Sequence, residues 1–418
     1  MEKMAILSLV FLLLAIGLGF FRKTNMGLVA FGLALVLGKI AGVPVKQIQS
    51  GFPTGLFVTL LGVMLMFSIA QENKTMEQLA KRIVSLAGRR TALIPIIVYV
   101  FSAILAAVGP GTVPVMGLMA IFTCSLAAEM RISPLLLSAT SVLGAAGGGC
   151  TPVAPTGILG MKLAEAQGIT GIAWPFGMNM LMAMTVYFIV IYIVLGGYKM
   201  KSNVDMSETA MEPFNGKQWI TLAGIAVLVV LVVGMKYDVG LTSFTIAMVL
   251  LLTGCGDQKK AVAGIPWGTL LMICGINTLM AMVIKLGGIK LLAEYLATLM
   301  TQKTAPGVMG LTAGIMSFFS STSGVVMPTL IPTVTDVAKN VGGVSTLALI
   351  SAITNTASAA GMSPTSTGGS MGLAAYSQIA KPSPEEQSTL FVKLFLVSIG
   401  GVIVIALFGM TGAYDLFV

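Results

Sequence analysis

The pentapeptide Gly51-Phe52-Pro53-Thr54-Gly55 returns as Gly264-Ile265-Pro266-Trp267-Gly268. This recurrence constrains the chain more than any other feature. Further pairs keep one order and a separation of about 212 residues: Gly62 with Gly275, Leu79-Ala80 with Leu292-Ala293, Thr112 with Ser323, Met116 with Met327. Gly149-Cys150-Thr151-Pro152 likewise pairs with Gly361-Met362-Ser363-Pro364. Chance likeness between apolar segments supplies leucine matches; it rarely supplies glycines and prolines in one order. The chain is a duplicated unit, so what one half folds into the other must fold into as well.

The unit belongs in a membrane. Of the 418 residues only 9% are charged and 56% are hydrophobic, whereas soluble domains carry about 25% charged residues. Apolar runs close to the length needed to cross a bilayer recur at 4–21, 26–43, 54–70, 172–195, 219–234, 241–252, 266–284 and 389–410. The net charge of +9 does not imply nucleic acid, because no basic cluster sits in a soluble segment and cationic excess belongs to cytoplasmic loops. Four cysteines without a Cys-x-x-Cys pair, and no histidine, leave neither a zinc site nor a disulfide framework. The first apolar run lacks a small-residue cleavage site and is followed by Arg22-Lys23 and another span, so it reads as a retained helix.

The expected fold is an all-α polytopic membrane protein of two inverted repeats. Each repeat carries a re-entrant hairpin and a discontinuous helix, with about 10 spanning helices plus 2 hairpins in all. Residues 1–198 form the first repeat, with hairpin 91–130 and broken helix 134–168. Residues 199–217 are a cytoplasmic linker, and 218–418 the second repeat, with hairpin 304–340 and broken helix 344–378. Segments 71–90 and 286–301 mix charged and apolar residues in the manner of helices lying in the interface. Five crossings per unit, an odd number, invert one unit relative to the other. The Lys/Arg excess puts the side of 71–90 in the cytoplasm and both termini outside the inner (plasma) membrane.

Four stretches interrupt the apolar runs: Gly109–Thr112, Gly149–Thr156, Ser320–Gly324 and Thr354–Thr367. Irregular backbone at membrane depth is tolerated only where it is buried in protein or lines a cavity. Broken helices at matched positions of inverted repeats are where secondary transporters hold substrate and ions. A broken helix offers free N–H groups and its positive dipole end to an anion. Its free carbonyls, with Ser, Thr and Asn oxygens, suit a hard cation such as Na⁺. The candidate substrate residues are Pro110, Gly111, Thr112, Thr151, Pro152, Thr156, Ser321, Thr322, Ser323, Ser363, Pro364 and Thr365. None of the acidic residues lies in a tip; Glu129, Glu165 and Asp336 approach only from helix ends. Proton-coupled carriers place an ionisable group in the membrane, so a neutral, Na⁺-coupled site is favoured. With no Lys or Arg in a tip, an anion must be held by dipoles, hydroxyls, amides and co-bound cations. Blander readings stand beside these: Gly147-Gly148-Gly149 also suits close helix packing, and Thr354-Asn355-Thr356 a bond to a neighbouring helix.

Two inverted repeats with hydroxyl-tipped hairpins and discontinuous helices resemble the ion transporter superfamily, above all the divalent anion/Na⁺ symporters and the malonate/dicarboxylate carriers. The resemblance runs over 5–410. It implies a first Na⁺ site at Thr112 with Gly149 and Thr151, and a second at Ser321 and Ser323 with Gly361 and Ser363; Asn355 joins the candidate Na⁺ ligands. It also implies a homodimer in the lipid bilayer and elevator-type alternating access. Those symporters carry Ser-Asn-Thr at both hairpin tips, where this chain has Gly109-Pro110-Gly111-Thr112 and Ser321-Thr322-Ser323. The function expected is therefore not enzymatic but Na⁺-coupled symport of a small organic anion, a dicarboxylate such as malonate or a C4 acid. The alternatives are a proton-coupled transporter or exchanger, and the permease subunit of a binding-protein-dependent dicarboxylate transporter.

Overall fold

The structure, a computed structural model, describes residues 2–22, 24–78, 82, 91–130, 133–200, 213–235, 237–265, 267–318, 321–364, 366–380 and 382–417. Among these residues every regular element is helical. The first unit runs α1 (Glu2–Phe21), α2 (Met26–Ile40), α3 (Val45–Gln49), α4 (Thr54–Glu72), α5 (Ile94–Val108), α6 (Thr112–Met130), α7 (Pro134–Gly148), α8 (Pro155–Glu165) and α9 (Ala173–Val194). The second runs α10 (Gly216–Val229), α11 (Val239–Leu252), α12 (Gln258–Ala263), α13 (Trp267–Lys285), α14 (Gly288–Thr298) and α15 (Ala305–Phe318). It continues with α16 (Thr322–Val341), wound in turn as π, α and 3-10 helix, then α17 (Thr346–Ala360), α18 (Thr367–Ala380) and α19 (Pro384–Gly409).

The duplication extends to the caps. The side chain of Asn25 accepts from the Gly27 N–H at the start of α2, and Asp238 accepts from Leu241 at the start of α11. Ser133 accepts from Leu135 ahead of α7, and Ser345 from Ala348 ahead of α17. Each cap satisfies a backbone donor that the first turn leaves free. Polar caps at repeat-related positions thus start corresponding helices in both units.

Packing repeats as well. Helix α5 lies along α7, and α15 along α17. Every residue of α7 from Leu135 to Gly148 is buried, and every residue of α17 from Leu347 to Ala360. The two discontinuous helices are thus the centre of the molecule, with α9 and α19 each packed against both. At the other side the units exchange helices: α4 packs on α11 and α13 on α2. These crossings are tight because both faces are glycine. A β-carbon at Gly62 would lie 2.3 Å from the Gly240 carbonyl oxygen, and one at Gly275 2.0 Å from the Gly27 oxygen. Small residues that admit backbone contact are how helices associate in lipid, where apolar burial alone gives little drive.

Three helices among the described residues are long and apolar enough to cross a membrane: Thr91–Val108, Ala173–Val194 and Ser388–Gly409. The number rises to five if each of two bent pairs is one span. The pairs are Leu270–Lys285 with Gly288–Thr298, bent by 82°, and α15 with α16, bent by 118°. Several expected spans are apolar helices below that length: 26–43 became α2, bounded by the cap at Asn25 and the turn at Gly42, and 241–252 became α11, which the Asp238 cap starts two residues earlier and the turn at Gly254 follows. Thr91–Val108, one arm of the expected first hairpin, is itself long enough to span. The expected interfacial helix lies outside the described residues beyond 78, except 82, as do 201–212 of the linker.

Candidate functional site

The first hairpin turns at Gly109 and Gly111, whose φ values of 145° and 79° are open to glycine and strained for other residues. Gly111 also admits Pro155, the first residue of α8, because a β-carbon there would lie 2.6 Å from the proline ring. The turn brings Thr112, at the start of α6, against Thr156 in the first turn of α8, with the two hydroxyls 3.1 Å apart. Thr112 Oγ1 also sits over Gly149, where a β-carbon would come within 2.1 Å of it.

The break in each discontinuous helix is closed by the same two backbone bonds. In the first unit Gly157 N–H donates to the Gly149 carbonyl (3.1 Å) and Ala154 N–H to Thr151 (3.1 Å). In the second, Gly369 N–H donates to Gly361 (3.0 Å) and Ser366 N–H to Ser363 (2.9 Å). The second hairpin tip is held by hydroxyls: Ser321 Oγ accepts from Gly324 N–H (3.1 Å), and Ser317 Oγ donates to the Ala357 carbonyl of α17 (2.7 Å) while lying 3.1 Å from Thr322 Oγ1.

Between the two tips lies a cavity of about 30 Å³. Thr112, Val113 and Met116 of α6 and Thr156 of α8 form one wall; Ser321, Thr322, Ser323, Ser358, Gly361, Ser366, Thr367 and Gly368 form the other. The walls come from the two units. The starts of four helices, α6, α8, α16 and α18, meet there, beside the C-terminal end of α17. Each start brings the positive end of its dipole to the cavity wall. Among the described residues no charged side chain is on the wall. The cavity admits water-sized groups between the two tips.

Of the candidates read from sequence, Thr112, Thr156, Ser321, Thr322, Ser323 and Gly361 are brought together on this wall. Pro110 and Gly111 shape the turn behind it, and Gly149 lies beneath Thr112. Thr151 is not on the wall: its hydroxyl donates to the Ala107 carbonyl (2.7 Å), tying off the end of α5. Pro152, Ser363 and Pro364 belong to the breaks and do not line the cavity. Asn355 is fully buried away from it, its amide donating to the Asn179 carbonyl (3.5 Å). Thr365 lies outside the described residues. Ser358, Ser366 and Thr367 also line the cavity; they fall in the expected stretch Thr354–Thr367 but were not singled out within it, and Gly368 lies just beyond it. The repeat held the signal for Gly368, since Thr156 transposed by the repeat spacing falls there.

Comparison with known proteins agrees with this architecture. Residues 2–149 match the family model described as the dicarboxylate carrier protein MatC N-terminus. The chain shares its fold with the YdaH transporter of Alcanivorax borkumensis, whose crystal structure is described as revealing an unusual topology. The TM-score is 0.61 over 98% of each chain, at 13% sequence identity. The fold is thus that of a polytopic helical membrane protein known from a solved transporter. No curated protein matches the chain in sequence.

Proposed function

We propose that this chain is a secondary active transporter that carries a small dicarboxylate, of the malonate or C4 class, together with Na⁺. The observation that carries the reading is the meeting of four helix starts, two from each unit, on one hydroxyl-lined cavity without charged side chains. Such a wall favours an anion through dipoles and N–H groups. The match of 2–149 to a dicarboxylate carrier family model supports carboxylates as that anion. Two carboxylates add two negative charges that no Lys or Arg of the cavity offsets, and co-bound Na⁺ supplies the balance. Thr112 with Gly149, and Ser321 and Ser323 with Gly361, are the oxygens we assign to Na⁺. In the mechanism, Na⁺ orders the tips, the anion enters between them, and the pair closes over it. Movement of the hairpins and broken helices, as one body against α2, α4, α11 and α13, then exposes the site to the other side. We further propose that two copies associate through that scaffold.

The test is thermal stability of the purified protein with mono-, di- and tricarboxylates, each in Na⁺ and in choline. A ligand that binds only the folded state raises Tm by mass action. The reading expects a dicarboxylate to stabilise in Na⁺ and not in choline. Stabilisation equal in both, or by pH alone, overturns the Na⁺ assignment.

A further inference from the structure

A polar cluster that the cavity does not use joins α9 of the first unit to α17 and the C-terminal turn of the second. Asn179 of α9 is fully buried, and its amide donates to Ser351 Oγ of α17 (3.0 Å) and to the Tyr414 carbonyl (2.8 Å). Tyr414 sits on the turn Ala413–Asp415 that follows α19. It is also fully buried, edge-on to Phe408 at 5.6 Å, with its hydroxyl beside the Asn355 side chain. Both amide orientations are fixed, because Asn179 and Asn355 each donate to a backbone carbonyl, which can only accept. Their oxygens, and the Tyr414 hydroxyl, have no well-formed hydrogen bond.

The fold does not require this polarity. Transposed by the repeat spacing, Asn355 falls on Leu143, a fully buried apolar residue of α7. Asn179 falls on Phe391. The first unit fills the position of Asn355 with leucine, and the second fills that of Asn179 with an exposed phenylalanine, so neither asparagine is repeated in the other unit. Their placement on α17 indicates their use. Ser351, Asn355 and Ser358 are spaced i, i+4 and i+7, one stripe of one helix. Ser358 lines the cavity, and Gly361 ends the helix there.

We infer that the C-terminal turn is a positioning element for the cavity. Tyr414, held by Asn179 and facing Asn355, fixes the axial and rotational setting of α17, and through it the places of Ser358 and Gly361. The network is incompletely bonded, so it opens at less cost than a fully satisfied one, which suits a contact made and broken as α17 moves. This inference rests on the proposed function for its purpose but not for its test.

The experiment compares thiol labelling rates in a full-length background with the four native cysteines replaced. Ser358→Cys and Thr112→Cys are each labelled with a methanethiosulfonate reagent, with and without Tyr414→Phe and, separately, Asn355→Leu. Positioning through the turn predicts that Asn355→Leu, which removes the bond to the Asn179 carbonyl, changes the Ser358→Cys rate by roughly fivefold, the factor one hydrogen bond of ordinary net strength carries, and that Tyr414→Phe, which removes a hydroxyl without a well-formed bond, changes it in the same direction by less. The Thr112→Cys rate, on the opposite wall, stays the same. Unchanged rates at both positions, or equal changes at both, overturn the inference; the second result means general loosening. Tyr414→Phe removes a single hydroxyl, so it keeps the test open should Asn355→Leu fold poorly. Because no carboxylate is used, a failed dicarboxylate reading leaves the result intact.

Discussion

Replacing Gly275 or Gly62 by alanine tests the crossings that join the two units. A β-carbon at Gly275 would stand 2.0 Å from the Gly27 oxygen, and one at Gly62 2.3 Å from the Gly240 oxygen. Ordinary contact begins at 3.4 Å, so the crossings must open by 1.4 Å (3.4 − 2.0) and 1.1 Å (3.4 − 2.3) along those lines. The obstacle is backbone of the facing helix, so no rotamer change relieves it. Overpacking of this kind costs about 1–3 kcal/mol. Alanine recovers about 0.5–1 kcal/mol over glycine inside a helix, which leaves a net loss of roughly 0–2.5 kcal/mol for each variant. Gly17 is the control: it is helical, and a β-carbon there meets nothing within 4 Å, so Gly17→Ala keeps the gain. Denaturant titration and Tm of the purified variants in detergent read the difference. The two crossing variants should lose stability by similar amounts, because they are repeat-related. If both were as stable as Gly17→Ala, the exchange of helices between units would be wrong.

Three further outcomes are expected. Thr156→Val removes the hydroxyl beside Thr112 and should weaken the Na⁺-dependent Tm gain given by a dicarboxylate by about 1 kcal/mol; an undiminished gain removes Thr156 from the site. Thr151→Val frees the Ala107 carbonyl and should cost about 1–3 kcal/mol in denaturant stability while the ligand response survives, since Thr151 is off the wall. Ser383→Ala should flatten the acid side of the stability–pH curve. The Ser383 backbone N–H, and then its hydroxyl, hold the exposed Glu386 carboxyl below its ordinary range. A depressed folded pKa gives stability that is present above the unfolded value and lost as pH falls through the folded one. The backbone N–H survives the substitution, so an acid limb identical to that of the parent protein would show that the hydroxyl contributes nothing.

How far the sequence could be read follows from what each signal measures. Breaks at Gly147–Pro152 and Gly361–Pro364 were legible because glycine and proline act on the backbone locally, and the gaps between α7 and α8 and between α17 and α18 fall there. The duplication was legible because glycine crossings and helix starts tolerate few residue types, so Gly62 and Gly275 kept their identity. Side-chain direction was not. Thr151 and Ser323 carry the same kind of hydroxyl, yet one closes a helix end and the other faces the cavity. A threonine next to a break has both options, and only the approach of α5 decides. Asn355 joined the candidate Na⁺ ligands for a like reason: an amide in an apolar helix demands a partner, and sequence does not say whether that is an ion or Asn179. Ser358 escaped because it lies inside regular helix, three residues before the break. Hydropathy registers apolar length, whereas caps and turns set where α2 and α11 begin and stop.

Transport itself is the most direct test of the central claim. The full-length chain is reconstituted in liposomes, and uptake of radiolabelled malonate and succinate is followed with an inward Na⁺ gradient, and again with choline in its place. The account predicts uptake of at least one of them that needs the Na⁺ gradient, is lost in choline and is weakened by Thr112→Val. Uptake that proceeds equally in choline contradicts Na⁺ coupling. Absence of uptake of either acid by protein that is folded and correctly inserted contradicts dicarboxylate transport by this chain alone.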